Sequence, residues 1–148
     1  MRRFNLSLIF GVLLFGLLVA ACSSQPTDTV SHGGAVEDYV SFVDNLRAQG
    51  MTVEPAGTVE QPFFTPEGNI VKANDQEIQV FEFTSVEEAE AAAETISQDG
   101  SSVGTSMMMW VSPPHFYKAD KIIVLYVGED EGITSILEEA LGAQIAGR

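Results

Sequence analysis

The chain has 148 residues, and its 21 Asp and Glu against 7 Lys and Arg give a formal net charge of −14. That is room for one domain, and the scarcity of cations argues against nucleic-acid binding and against a polybasic grip on anionic lipid. A single cysteine excludes an internal disulfide framework and any Cys-cluster zinc or iron–sulfur site.

The first 21 residues read as a secretory signal peptide. Arg2 and Arg3 form a basic start, Leu6 to Val19 is apolar apart from Ser7, and small residues precede Cys22. As a helix the apolar run rises ~21 Å, short of the ~30 Å hydrocarbon core. Val19-Ala20-Ala21-Cys22 resembles the bacterial lipobox. The resemblance implies cleavage between Ala21 and Cys22 and a covalent lipid on the Cys22 thiol. Arg2-Arg3-Phe4 is only a fragment of a twin-arginine signal, so general secretion is the expected route. The expected location is the cell envelope, on the outer face of the cytoplasmic membrane or, since Ser23 is not an inner-membrane retention Asp, at the outer membrane. Arg2 and Arg3 are the only charges before Cys22, so the remainder carries −16. Residues 22–35 add a polar linker broken by Pro26, Gly33 and Gly34 to the lipidated Cys. As a random coil its r.m.s. reach is ~20 Å.

Residues 36–148 are expected to form one α+β domain. Val36, Tyr39, Val40, Val43 and Leu46 follow helical spacing, and Gly50 ends it. Met51 to Glu60 reads as a strand dented at Pro55 and Gly57. Pro62 and Pro66 bracket Phe63 and Phe64 in a turn. Ile70 to Ala73 and Ile78 to Phe83 read as strands joined at Asn74-Asp75, with Gln79, Phe81 and Phe83 on one face and Ile78 and Val80 on the other. Ser85 and Glu88 form a capping box for a second helix, whose stripe is Val86, Ala89, Ala93 and Ile96. Asp99-Gly100-Ser101-Ser102 is a turn, and Met107 to Val111 a strand ending at Pro113-Pro114. Lys121 to Val127 has the continuous apolar run of a strand covered on both faces. Ile133, Ile136, Leu137, Ala140 and Leu141 define a last helix, capped by Asp130 or Thr134 and ended by Gly142. The order α-β-β-β-α-β-β-α predicts a two-layer domain, an antiparallel or mixed sheet of about four to five strands with three helices, with a distant ferredoxin-like kinship open.

Three groups of residues bear on chemistry. Phe63, Phe64, Trp110, His115, Phe116 and Tyr117 all lie near Pro-bounded turns, and their convergence would make an aromatic cleft for an apolar or planar ligand or a partner loop. Met107 and Met109 are soft thioethers which, with His115, suit Cu(I); core packing is the simpler expectation for them. His115 is the one imidazole in the folded region, with Ser112 and Asp120 as nearby partners for hydrolase-type catalysis, yet no recognised catalytic motif surrounds it. Glu129-Asp130-Glu131 lacks calcium-loop spacing and suits a solvated helix start.

Pro62-Phe63-Phe64, Val80-Phe81-Glu82-Phe83, Asp99-Gly100-Ser101-Ser102, Trp110-Val111, Pro113-Pro114-His115-Phe116-Tyr117 and Ile123-Val124-Leu125-Tyr126-Val127-Gly128 carry a further resemblance. Over Phe63 to Gly147 the chain is similar to a group of small uncharacterised bacterial lipoproteins and exported proteins. The resemblance implies an envelope setting and brings no activity, cofactor or catalytic residue with it. The expected role is a membrane-anchored, non-enzymatic module that binds a small ligand or an envelope protein, with no nucleic-acid partner and no cofactor beyond the lipid on Cys22. Extracytoplasmic copper binding is the alternative, and a small hydrolase ranks behind it.

Overall fold

The computed structural model describes residues 33–147. Cys22, the expected signal segment and linker residues 23–32 lie outside the described residues. The elements run α1 (Tyr39–Ala48), β1 (Val53–Val59), β2 (Gly68–Ala73), β3 (Gln76–Glu82), α2 (Val86–Ala93), β4 (Ser102–Val103), β5 (Ser106–Met107), β6 (Pro114–Ala119), β7 (Ile122–Val127), α3 (Glu131–Leu141) and β8 (Ala146–Gly147). Six strands form one sheet in the order β1-β2-β3-β7-β6-β8, and β4 and β5 form a separate hairpin. Every pairing in both sheets is antiparallel. The domain is therefore α+β with three helices, as the sequence predicts, but its sheet has one strand more than expected.

The layer count also differs from expectation. Strands alternate their side chains between faces, and here both faces are apolar. On one, Ile78 and Val80 of β3 and Ile122, Val124 and Tyr126 of β7 pack with Phe42 and Leu46 of α1 and Leu137 of α3. On the other, Phe81 of β3, Phe116 of β6 and Ile123 and Leu125 of β7 pack with Ala89 of α2 and Val103 of the small hairpin. Helices thus cover the sheet from both sides and make three layers. Among the described residues, both cores are built from side chains between Val36 and Ala146.

Local chemistry explains the boundaries. Asp38 caps α1, accepting from the Ser41 amide at 2.8 Å, and Val36 lies before the helix rather than in it. Val40, expected on the buried stripe of α1, is exposed. Asn74 and Asp75 both hold positive φ, the conformation a tight two-residue hairpin turn demands. Ser85 caps α2 by accepting from the Glu88 amide, but the Glu88 carboxylate takes the amide and hydroxyl of Thr84 instead of closing the box on Ser85. Asp130, not Thr134, caps α3, and Gly142 ends it at φ 87°. The outer strand β1 slips register between Pro55 and Gly57, and the opposite edge, β8, is two residues long.

Two strand assignments are corrected. The strand expected over 107–111 shrinks to Ser106–Met107, because β4 offers a partner for only two residues. A strand instead follows the prolines: Pro114–Ala119 pairs along β7 from Pro114↔Val127 to Ala119↔Ile122. Pro114 is tolerated as the first residue of that strand. Among the described residues no helix is long and apolar enough to cross a membrane.

Candidate functional site

The aromatic turns do meet, but only in part. The loop between β1 and β2 turns at Gln61, whose carbonyl accepts from the Phe64 amide at 3.2 Å. This drives Phe64 inward, where its ring lies 4.9 Å from Phe81 and 5.8 Å from Phe83. Phe63, half-buried, stands edge-on to Phe64 at 4.9 Å and to Trp110 at 6.4 Å, and Trp110 meets Phe116 at 6.0 Å. These near-perpendicular pairings are the geometry aromatic quadrupoles favour. Trp110 is fixed by its indole N–H, which donates to the Gly100 carbonyl at 2.7 Å.

Phe63, Phe64, Trp110 and Phe116 are thus brought together, whereas His115 and Tyr117 are not. The period of two along β6 sends Phe116 to the α2 side and its neighbours to the α1–α3 side. Tyr117 is fully buried there, and among the described residues its hydroxyl has no hydrogen-bond partner. Burial, with Glu138 nearby, pushes the phenol up to about 12. Phe116 is also fully buried, so it supports the cluster from behind rather than touching a ligand.

The opening itself lies beside this cluster. A groove of about 520 Å³ runs between the Phe63–Pro66 loop, the end of β3 and α2. Phe63, Phe64 and Phe83 form its aromatic side, Ala91 and Ala92 its helical side, and Thr65, Thr84, Thr95, Glu82 and Glu88 its polar margin. Alanines on α2 leave the space that larger side chains would fill. Ala91 and Ala92 lie outside the expected stripe of Val86, Ala89, Ala93 and Ile96, and Phe83 shares the Phe81 face of β3 as expected. The spacing of Glu88, Ala91, Ala92 and Thr95, which puts two alanines on one helix face away from Ala89, was the available signal that this face could stay open. Glu82 accepts from the Tyr39 amide at 3.2 Å and pairs with Lys121 at 2.9 Å. That hydrogen bond and charge hold Lys121 above the ordinary lysine range.

His115 serves another role. It is buried, stacks on Tyr126 at 5.8 Å, and lies 3.0 Å from the Gly128 carbonyl through Nε2 and 2.7 Å from the Gln144 side-chain amide through Nδ1. The carbonyl can only accept, so Nε2 carries a proton. Tyr126 extends the network by accepting from the Asp130 amide and donating to Gln76. His115 therefore ties β6 to the start of α3 and to the segment leading into β8. The hydrolase arrangement is not assembled: Asp120 sits at the β6–β7 turn with φ 44°, at the far end of the strand from His115.

The methionines overturn the expectation of core packing. Met107 is 89% exposed and Met109 97% exposed, with Val111 equally open at 97%. They extend from the β4–β5 hairpin, whose Val103 packs on the α2 side, while His115 faces the other side. His115 is thus separated from the thioethers it was expected to join, and both its ring nitrogens are engaged. Among the described residues no group of three or more His, Cys, Asp or Glu side chains gathers to hold a metal ion. Comparison with known proteins adds no kinship: no family model, no curated protein and no solved structure matches the chain.

Proposed function

We propose that the chain is a membrane-anchored envelope lipoprotein whose domain is a non-enzymatic binding module, with the groove between the Phe63–Pro66 loop and α2 as its site. The groove carries the reading: it is apolar, bordered by a few polar groups, and of a size that suits small ligands and partner side chains. The anchor rests on the lipobox-like Val19-Ala20-Ala21-Cys22. Asn45 of α1 donates to the Gly34 carbonyl at 2.8 Å, so the chain leading from Cys22 joins the α1–α3 layer, and the groove lies on the opposite face of the sheet. The hairpin-linked strand order lends no support to a ferredoxin-like kinship.

Native mass spectrometry of the protein exported by its own host tests the site. An adduct present on the natural chain and lost in Ala91→Arg, which plugs the groove at an exposed helix position, is the expected result. An adduct retained by the variant overturns the assignment. For the anchor, Cys22→Ser should leave the protein unprocessed or release it from membranes; a processed, membrane-bound variant overturns it. Copper handling keeps a narrower basis, two solvent-reachable thioethers at Met107 and Met109 without His115. Titration against a Cu(I) chelator tests it, and no competition at micromolar chelator ends it.

A further inference from the structure

Resting on the groove as the binding site, we infer that its occupant is a short segment of a partner polypeptide in which a large apolar side chain is flanked by Lys or Arg. The aromatic side asks for an apolar group, and the charge around it asks for a cation. Glu88 borders the groove, Glu87 and Glu94 stand exposed along α2 and its C-cap, and Glu67 lies just beyond Pro66. The two lysines nearby are already engaged: Lys121 with Glu82 at 2.9 Å and Lys118 with Glu90 at 3.6 Å. No ion pair among the described residues reaches Glu67, Glu87, Glu88 or Glu94.

Charge also removes the competing occupants. A second copy of this chain would bring its own excess of acids to the same rim. An anionic amphiphile would place its head group against Glu88. Glu88 shares the groove-lining helix face with Ala91, Ala92 and Thr95, while Glu87 and Glu94, about a quarter turn around the helix, set a second line of negative charge ~10 Å long beside it, at 1.5 Å per residue. A peptide with basic residues at intervals can follow that line, whereas a single-headed ligand meets one end of it. The half-buried Phe63 offers a ring against which a Lys or Arg can gain cation–π attraction.

Trp110, the single tryptophan, touches Phe63 and provides an intrinsic fluorescence signal. Residues 23–148, which contain both cores, are titrated with a set of acetylated, amidated tetrapeptides, Lys-X-X-Lys with X as Phe, Leu, Ile or Trp. Heteronuclear NMR replaces fluorescence for the Trp peptides. Matched Glu-X-X-Glu peptides and the neutral apolar dye N-phenyl-1-naphthylamine complete the comparison. The expected result is that the best Lys peptide binds about tenfold or more tighter than its Glu counterpart at low salt, with the gap shrinking as salt screens the rim. Binding should be lost in Ala91→Arg, with circular dichroism checking that the variant is folded. Equal or preferential binding of Glu peptides overturns the inference. So does binding of the neutral dye alone; in both cases the groove survives as a site. If neither peptides nor dye bind, the inference and the groove assignment fall together.

Discussion

Gly100 shows how much one position can hold. Its φ of +69° favours glycine, and an added Cβ would come within 2.9 Å of Pro114 and 3.2 Å of Phe116. Its carbonyl also receives the Trp110 indole. Gly100→Ala should therefore lower stability by about 2 kcal/mol or more, read as a shift in the urea midpoint, since backbone strain and overpacking act together. The neighbouring Asp99 accepts from the Ser101 amide and hydroxyl and from the Ser97 hydroxyl. These bonds hold its carboxyl at about 2, below the ordinary 3.8. A depressed value means stability that is complete above the unfolded pKa and lost as pH falls through the folded one. Asp99→Asn should accordingly melt below the natural protein near neutral pH, and the gap should close between about pH 4 and about pH 2. A gap that stays constant through that window would show that the charge is not what matters. Tyr117→Phe runs the other way. It removes a buried hydroxyl that has no partner among the described residues, so the expected change is between neutral and about 1 kcal/mol more stable by thermal melting.

Elements were legible in the sequence where periodicity and caps agreed. The stripe of α3, the Asn74-Asp75 turn and the two faces of β3 emerge as their residue spacing predicts. β6 was not legible, because Pro113-Pro114 looks like the end of a strand and the run His115-Phe116-Tyr117 is aromatic on both parities. Only pairing with β7 reveals that Phe116 belongs to one layer and Tyr117 to the other. The same blindness split the expected cleft, since residues adjacent in sequence on a strand cannot line one wall. Met107 to Val111 misled in the opposite sense: an apolar run suggested burial, but a hairpin with two-residue strands cannot bury it. At this scale α2 is the sensitive part, being eight residues long with one fully buried side chain. Ser85→Ala should cost about 1 kcal/mol through loss of the cap to the Glu88 amide. Amide hydrogen exchange should speed up in α2 more than in β7; equal acceleration in both would mean that the helix does not open on its own.

For the whole molecule, charge is the dominant property. With 21 acids against 7 basic residues, self-repulsion works against the compact state at low ionic strength. Raising NaCl from about 20 mM to about 500 mM should raise the melting temperature, because screening relieves repulsion faster than it weakens the few exposed ion pairs. A fall with salt would place the net benefit in those pairs instead. The three-layer build leaves the groove against a single short helix on one side, while Gly34, near the start of the described residues, is bonded to α1 in the opposite layer.

If the proposed lipid anchor holds the protein at a membrane, the irregular outer strand has a consequence for crowding. Lipid-held proteins drift in two dimensions, where neighbours collide far more often than in dilute solution. A straight bare strand would let one domain template the next, and the surface would fill with polymer. Pro55 withholds a donor from that edge, the register slip at Gly57 bends the ladder, and the far side ends in only two residues. Under the proposed lipid anchor, each copy is expected to stay a separate unit at high surface density.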